Sequence, residues 1–226
     1  MADLSLFDDR RIDNSWVTRL YRLDATARAL GDAFGARVGE DPWSGGYIAP
    51  EKFAPVIIAA RDFIAGGRPS ASRLAARLVP RLWGVAPPPL ADSASGRILS
   101  VRNPESPFWI GHLRNSEFRC LIPATSVMVW GSATDYEGRR LRHWFALDGT
   151  PIFALLGVWK DEEVPAFAVI SAKPTGAAKA CGAKAMPMAL SPRSQAADIW
   201  LHGGWDQARA LMEARASEDW AEIGES

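Results

Sequence analysis

An α+β fold, with strands in the middle of the chain and helices at its flanks, is what this 226-residue sequence predicts. Two observations carry that prediction. Short apolar or alternating runs at 98–102, 118–122, 126–131, 142–147, 152–159 and 166–171 read as strands. Helix start and stop signals cluster before residue 36 and after residue 190.

In order, residues 1–15 read as a polar N-terminal extension. Asp24 or Thr26 caps a helix that carries Ala27, Leu30 and Phe34 on one face and stops at Gly35. Pro55–Ala60 is a buried strand, and Gly66-Gly67-Arg68-Pro69-Ser70 a loop. Arg77–Trp83 alternates like a strand, and Pro80, which cannot donate to a ladder, favours an edge. Asp148-Gly149 between apolar runs signals a hairpin. Pro192 starts a helix to about Leu201, and a second helix runs from about Asp206 to Arg215. Residues 213–226 form an acidic C-terminal tail, read as helical. The stretch 16–212 is one domain, within the size a single core supports.

Composition excludes some classes. No run of about 18 apolar residues is present, so no membrane span and no membrane partner are expected. The acidic start, Met1 to Asp9, is not a secretory signal. Two cysteines, Cys120 and Cys181, are too few for a disulfide framework, which points to a reducing cytoplasm. His112, His143 and His202 have no ligand spacing, so no metal and no cofactor are expected. Nucleophile-elbow, phosphate-loop and dinucleotide motifs are absent. Formal net charge is zero, yet Arg61–His143 carries twelve Arg and no Lys against six acidic residues. Arg grips phosphate bidentately and stacks on bases, so this imbalance suggests a localised anionic partner.

The stretch Arg119-Cys120-Leu121-Ile122-Pro123-Ala124-Thr125-Ser126-Val127-Met128-Val129-Trp130 resembles the central motif of the SOS-response-associated peptidase (SRAP) family. Further segments resemble the family in the same order: Tyr47-Ile48-Ala49-Pro50, Trp83 to Pro87, Ser100-Val101-Arg102, Asp148 to Trp159, and Ala185 to Leu190. The ordered set, spread over about 17–212, is more specific than any one piece. The resemblance implies a barrel-like, largely antiparallel, β-rich core and an Arg-lined groove for single-stranded DNA. It also implies an N-terminal Cys that crosslinks the aldehyde of an abasic site, assisted by a Glu and a His. That chemistry needs a free aminothiol and a proton carrier.

Those reactive groups are missing here. Residue 2 is Ala2, and alignment of Leu20 to Leu23 with the family start places the nucleophile at Thr18, which has no free amine. The family Glu becomes Val129, the family His becomes Ala183, the Arg before Met186 becomes Ala185, and an Asn becomes Ser100. No catalytic residue is therefore expected for the family reaction. Arg102, Trp130, Ser100 and Pro50 remain as DNA-binding candidates, Arg102 for phosphate and Trp130 for stacking. Cys120 reads as a core thiol. Cys181, with Lys179 and Lys184 close by to lower its pKa, and Lys184, which could form an imine, are candidate relocated nucleophiles. No His or carboxylate is close to Cys181 in sequence. Three readings follow, in this order. The first is an inactive SRAP-like domain that still binds single-stranded or abasic-site DNA. The second is a repurposed scaffold with a protein partner or a homodimer. The third is a residual enzyme that uses Cys181, Lys184 or another group.

Overall fold

The computed structural model describes residues 18–39, 43–59, 76–88, 96–214 and 220–224. The 1–15 extension and the 66–70 loop lie outside them. Strand β1 (Leu20–Leu23) leads to helix α1 (Ala27–Phe34). Of the two proposed caps, Thr26 does the work, its hydroxyl accepting from the Ala29 N–H. Asp24 instead pairs with Arg22 at 2.5 Å. Gly35 ends the helix in the left-handed conformation (φ 64°) that glycine takes without a Cβ penalty.

Strands β2 (Arg37–Val38), β3 (Gly46–Ile48), β4 (Phe53–Ile58), β5 (Arg77–Trp83) and β6 (Ser100–Val101) follow. A helix not foreseen from the sequence, α2 (Pro107–Arg114), starts on Ser106 as cap with Pro107 in its first turn. Then come β7 (Arg119–Ala124), β8 (Ser126–Thr134), β9 (Arg140–Leu147), β10 (Phe153–Lys160) and β11 (Ala166–Ala172). The chain continues through α3 (Gly176–Ala180), β12 (Met186–Pro187), β13 (Ala189–Leu190), α4 (Gln195–His202), α5 (Trp205–Ala214) and β14 (Trp220–Ile223).

Two sheets form the core. One closes on itself: β11, β10, β7, β4 and β5 pair antiparallel in that order, and β5 returns to β11 by parallel pairing at Leu82↔Ala166 and Trp83↔Phe167. Closure leaves this five-stranded barrel without free edges. The second sheet is open, in the order β14-β9-β8-β1-β3. On its inner face Tyr21, Val127 and Phe145 are fully buried, and Tyr21 meets barrel residue Trp83 edge-on at 5.2 Å. The α+β class and the β-rich, barrel-like, largely antiparallel core predicted above are both present.

Several local expectations change. Pro80 lies in a strand paired on both sides, but where the parallel partners leave a gap: β2 pairing stops at Leu78 and β11 pairing begins at Leu82. The missing N–H is tolerated there. Asp148-Gly149 makes a tight turn but no hairpin, because β9 belongs to the open sheet and β10 to the barrel. Strand β9 instead forms its hairpin with β8, closed by Asp135, whose carboxylate accepts from the Glu137 and Arg139 N–H groups. Helix α4 begins after Ser194 and not at Pro192, since Arg193 has φ 52°. Of the described tail residues, Glu213 and Ala214 end α5 and those from Trp220 on are not helical. Trp220–Ile223 pairs with Trp144–Leu147 as β14 and completes the open sheet.

Candidate functional site

The positions that the family resemblance marks as reactive are closed in. Thr18, just before β1, is 5 % exposed and its hydroxyl has no hydrogen-bond partner. Val129 (2 %) and Ala183 (7 %) are packed into the apolar core. Ser100 donates its hydroxyl to Ser171 Oγ at 2.6 Å, tying β6 to β11. Pro50 sits half-buried in the turn between β3 and β4, where the Glu51 N–H binds the Trp83 carbonyl. Arg102 is exposed just beyond β6, and Trp130 is half-buried on the outer face of β8, opposite Arg142.

A pair of groups that the sequence did not reveal stands beside Val129. His143 is its cross-strand partner, so both side chains lie on the inner face. His143 Nδ1 lies 2.6 Å from Glu222 Oε1 on β14, while Nε2 is buried without a hydrogen-bond partner. Gly131 makes room for the ring: a Cβ there would lie 2.6 Å from Nε2 and 2.9 Å from the Cys181 carbonyl. The Cys181-Gly182 turn docks on the same strand, as Ser132 N–H donates to Cys181 O at 2.9 Å. The β8–β9 register was the one signal for His143. Glu222 had none, because its strand was read as helix.

Cys181 is not the activated thiol suggested by Lys179 and Lys184. Burial pushes its pKa up, and the negative charge of Glu222 adds to the rise. Its thiol donates to the Ala178 carbonyl at 3.2 Å. A carboxylate is thus near it after all, but it opposes the thiolate and does not serve it. Lys184 is exposed. Cys120 is fully buried, with its pKa pushed well up by desolvation, which makes it an inert core thiol. Among the described residues no group of three or more His, Cys, Asp or Glu gathers to hold a metal.

The Arg-rich segment divides into structural and surface residues. Arg119 is fully buried, donates to the Gly203 carbonyl and lies over Trp200. Arg81 stacks on Trp159 at 4.8 Å. Arg97 donates to the Gly84 carbonyl, and Arg139 pairs with Asp135 and Glu137. These guanidinium groups hold the fold together. On the outer face of the open sheet a different set gathers. Arg22 lies 5.4 Å over the ring of its cross-strand partner Tyr47, which is 52 % exposed. Tyr47 meets Trp144 edge-on at 5.7 Å, and Trp130 faces exposed Arg142 across β8 and β9.

The architecture defines a class: a five-stranded closed barrel with an open five-stranded sheet packed on it. Neither a family model nor a curated protein matches the sequence. Solved structures share the fold. A phage-related protein from Bordetella bronchiseptica superposes with a TM-score of 0.62 at 14 % identity, over 92 % of this chain and 94 % of that one. A second protein from Bordetella bronchiseptica gives 0.60 at 14 % identity, over 92 % of this chain and 100 % of its own. One from Bacteroides thetaiotaomicron gives 0.63 at 14 % identity, over 91 % of each chain. At that identity the likeness is one of fold.

Proposed function

We propose that this chain is a divergent SRAP-like protein of the cytoplasm that binds single-stranded or abasic-site DNA and performs neither crosslinking nor self-cleavage. Burial and side-chain chemistry support the absence of that reaction. An abasic aldehyde has no amine or thiol to meet at Thr18, and Val129 and Ala183 carry no proton. The retained binding rests on one observation, the outer-face row of Arg22, Tyr47, Trp130 and Arg142. Aromatic faces stack on bases of any sequence, and Arg neutralises phosphate beside them. Arg102 lies outside that row, and Ser100 and Pro50 are engaged within the fold.

Fluorescence anisotropy with a labelled single-stranded oligonucleotide, with and without an abasic site, tests this. Binding should be measurable at about 50 mM salt and fall steeply by about 200 mM. No adduct should survive a denaturing gel. Absence of binding at low salt sinks the DNA reading, and a gel-stable adduct sinks the claim of lost chemistry.

The repurposed-scaffold reading has its own support. Among the described residues β14 pairs only with β9, and Ile223 on it is 38 % exposed. An open edge invites a strand from a protein partner or a second copy. Light scattering that gives a monomer at high concentration would remove the homodimer.

A further inference from the structure

A cleft of about 490 Å³, within the range that small-molecule sites occupy, opens between the Ala86–Pro88 segment, α2 and the turn from β10 to β11. It shares no residue with the outer-face row of Arg22, Tyr47, Trp130 and Arg142, so it stands apart from the DNA reading. Pro87, Phe108 and Val164 give it apolar walls. Helix α2 places Phe108 and His112 on one face, four residues apart.

Lys160, the last residue of β10, lines this cleft as a cation held in place. Its Nζ lies 3.2 Å from the centroid of the Phe108 ring and 5.2 Å from that of Trp109. Ring faces attract an ammonium and fix its position. Burial lowers its pKa, Glu162 and the ring faces oppose that fall, and the group stays charged near neutral pH. An ammonium has three N–H donors, and among the described residues none of those of Lys160 meets a protein acceptor or a carboxylate. His112 meets Phe118 edge-on at 4.9 Å, and its ring nitrogens have no hydrogen-bond partner among the described residues. Burial and the charge of Lys160 favour its neutral form, which keeps one N–H donor. Two sets of unused donors therefore line one cleft.

The rest of the lining is charged in both senses. Glu162 accepts the Ala86 N–H through both oxygens at 3.2 Å and lies 3.9 Å from Arg97, which donates to the Gly84 carbonyl. These two charges offset each other. Asp161 and Glu163 are exposed on the rim and make no ion pair among the described residues. A half-buried cation thus stands behind two exposed carboxylates. A plain anion would be repelled by the rim, and a plain cation by Lys160. A molecule that carries both charges meets each with its opposite.

We propose that this cleft binds a free α-amino acid with an apolar or aromatic side chain. The ligand's carboxylate accepts from Lys160 Nζ and from the His112 N–H, its ammonium faces Asp161 and Glu163, and its side chain lies on Pro87 and Val164. Binding is non-covalent, and selectivity comes from the need for both charges together.

Isothermal titration calorimetry of the full chain with L-phenylalanine and with L-leucine tests this, and one saturable site per chain is expected. Hydrocinnamate, which lacks the ammonium, and phenethylamine, which lacks the carboxylate, should each bind about ten-fold more weakly than phenylalanine. Lys160→Met keeps an unbranched stem on Phe108 and removes the charge. It should weaken phenylalanine about ten-fold with an unchanged circular dichroism spectrum. Asp161→Asn combined with Glu163→Gln should weaken phenylalanine yet tighten hydrocinnamate, an inversion that a damaged fold cannot produce. Arg139→Ala, at the β8–β9 hairpin tip, should change neither. The proposal is overturned if neither amino acid saturates the protein at millimolar concentration, if hydrocinnamate binds as tightly as phenylalanine, or if Lys160→Met binds like the unaltered chain.

Discussion

The barrel and the open sheet divide one continuous stretch of chain, Arg119–Thr134, and treat its halves differently. All six residues of β7 are buried, whereas β8 is buried at its start and exposed from Ser132 onward. Thr125 is the joint, its N–H and its hydroxyl both donating to the Arg22 carbonyl. The barrel half carries the Arg-Cys-Leu-Ile-Pro-Ala run, and the open-sheet half carries Val129. A closed barrel strand packed on both sides allows few substitutions, because its neighbours cannot relax. An open sheet has a second face on which side chains can change.

The largest expected effect breaks or sustains that contrast directly. Trp200 is fully buried on α4, and its indole N–H binds the Cys120 carbonyl of β7 at 2.8 Å. Trp200→Ala should lose about 3–5 kcal/mol in urea unfolding. Half-buried Trp130→Ala on the open sheet should lose only about 1 kcal/mol. Equal losses would mean that the two sheets are not packed differently. Next come Tyr47→Ala and Arg142→Ala, each expected to weaken single-stranded DNA binding by about 1–3 kcal/mol, read by anisotropy. Arg139→Ala, at the hairpin tip and tied to Asp135 and Glu137, should leave it unchanged.

A smaller effect belongs to β14. Glu222 is partly exposed, so Glu222→Gln should cost at most about 1 kcal/mol. The same change should speed hydrogen exchange of the Trp220–Ile223 amides while barrel amides stay protected. The smallest effect is at the hairpin turn. The backbone N–H of Arg139 holds the Asp135 carboxyl below its usual range, opposed by desolvation and aided by the Arg139 side chain and the Glu137 N–H. A depressed carboxyl stabilises the fold fully above its unfolded pKa and loses that contribution as pH falls through the lower folded value. Acid titration by NMR should therefore move the Glu137 and Arg139 amides below the ordinary carboxylate range, with barrel resonances unmoved.

Local signals were legible wherever they acted locally. Thr26 and Gly35 bound α1 as read, because a cap needs only its own turn. The Ser106-Pro107 start of α2 carried the same information and was passed over. The Asp148-Gly149 turn was read correctly as a turn and wrongly as a hairpin, since two residues cannot reveal which sheet the next strand joins. At the site, the replaced Thr18, Val129 and Ala183 were visible one by one. The approach of His143, Glu222 and Cys181 was not, because it joins residues up to 79 apart through two strand pairings.

The sequence by itself determined the α+β class and the buried strands of the core, because apolar periodicity is a property of the residues themselves. Only the tertiary structure decided which arginines are structural, that the tail closes the open sheet as β14, and that Lys160 rests on Phe108 beside His112 in a cleft. Charge, burial and pKa depend on what other elements bring alongside a group, and those neighbours lie far away along the chain.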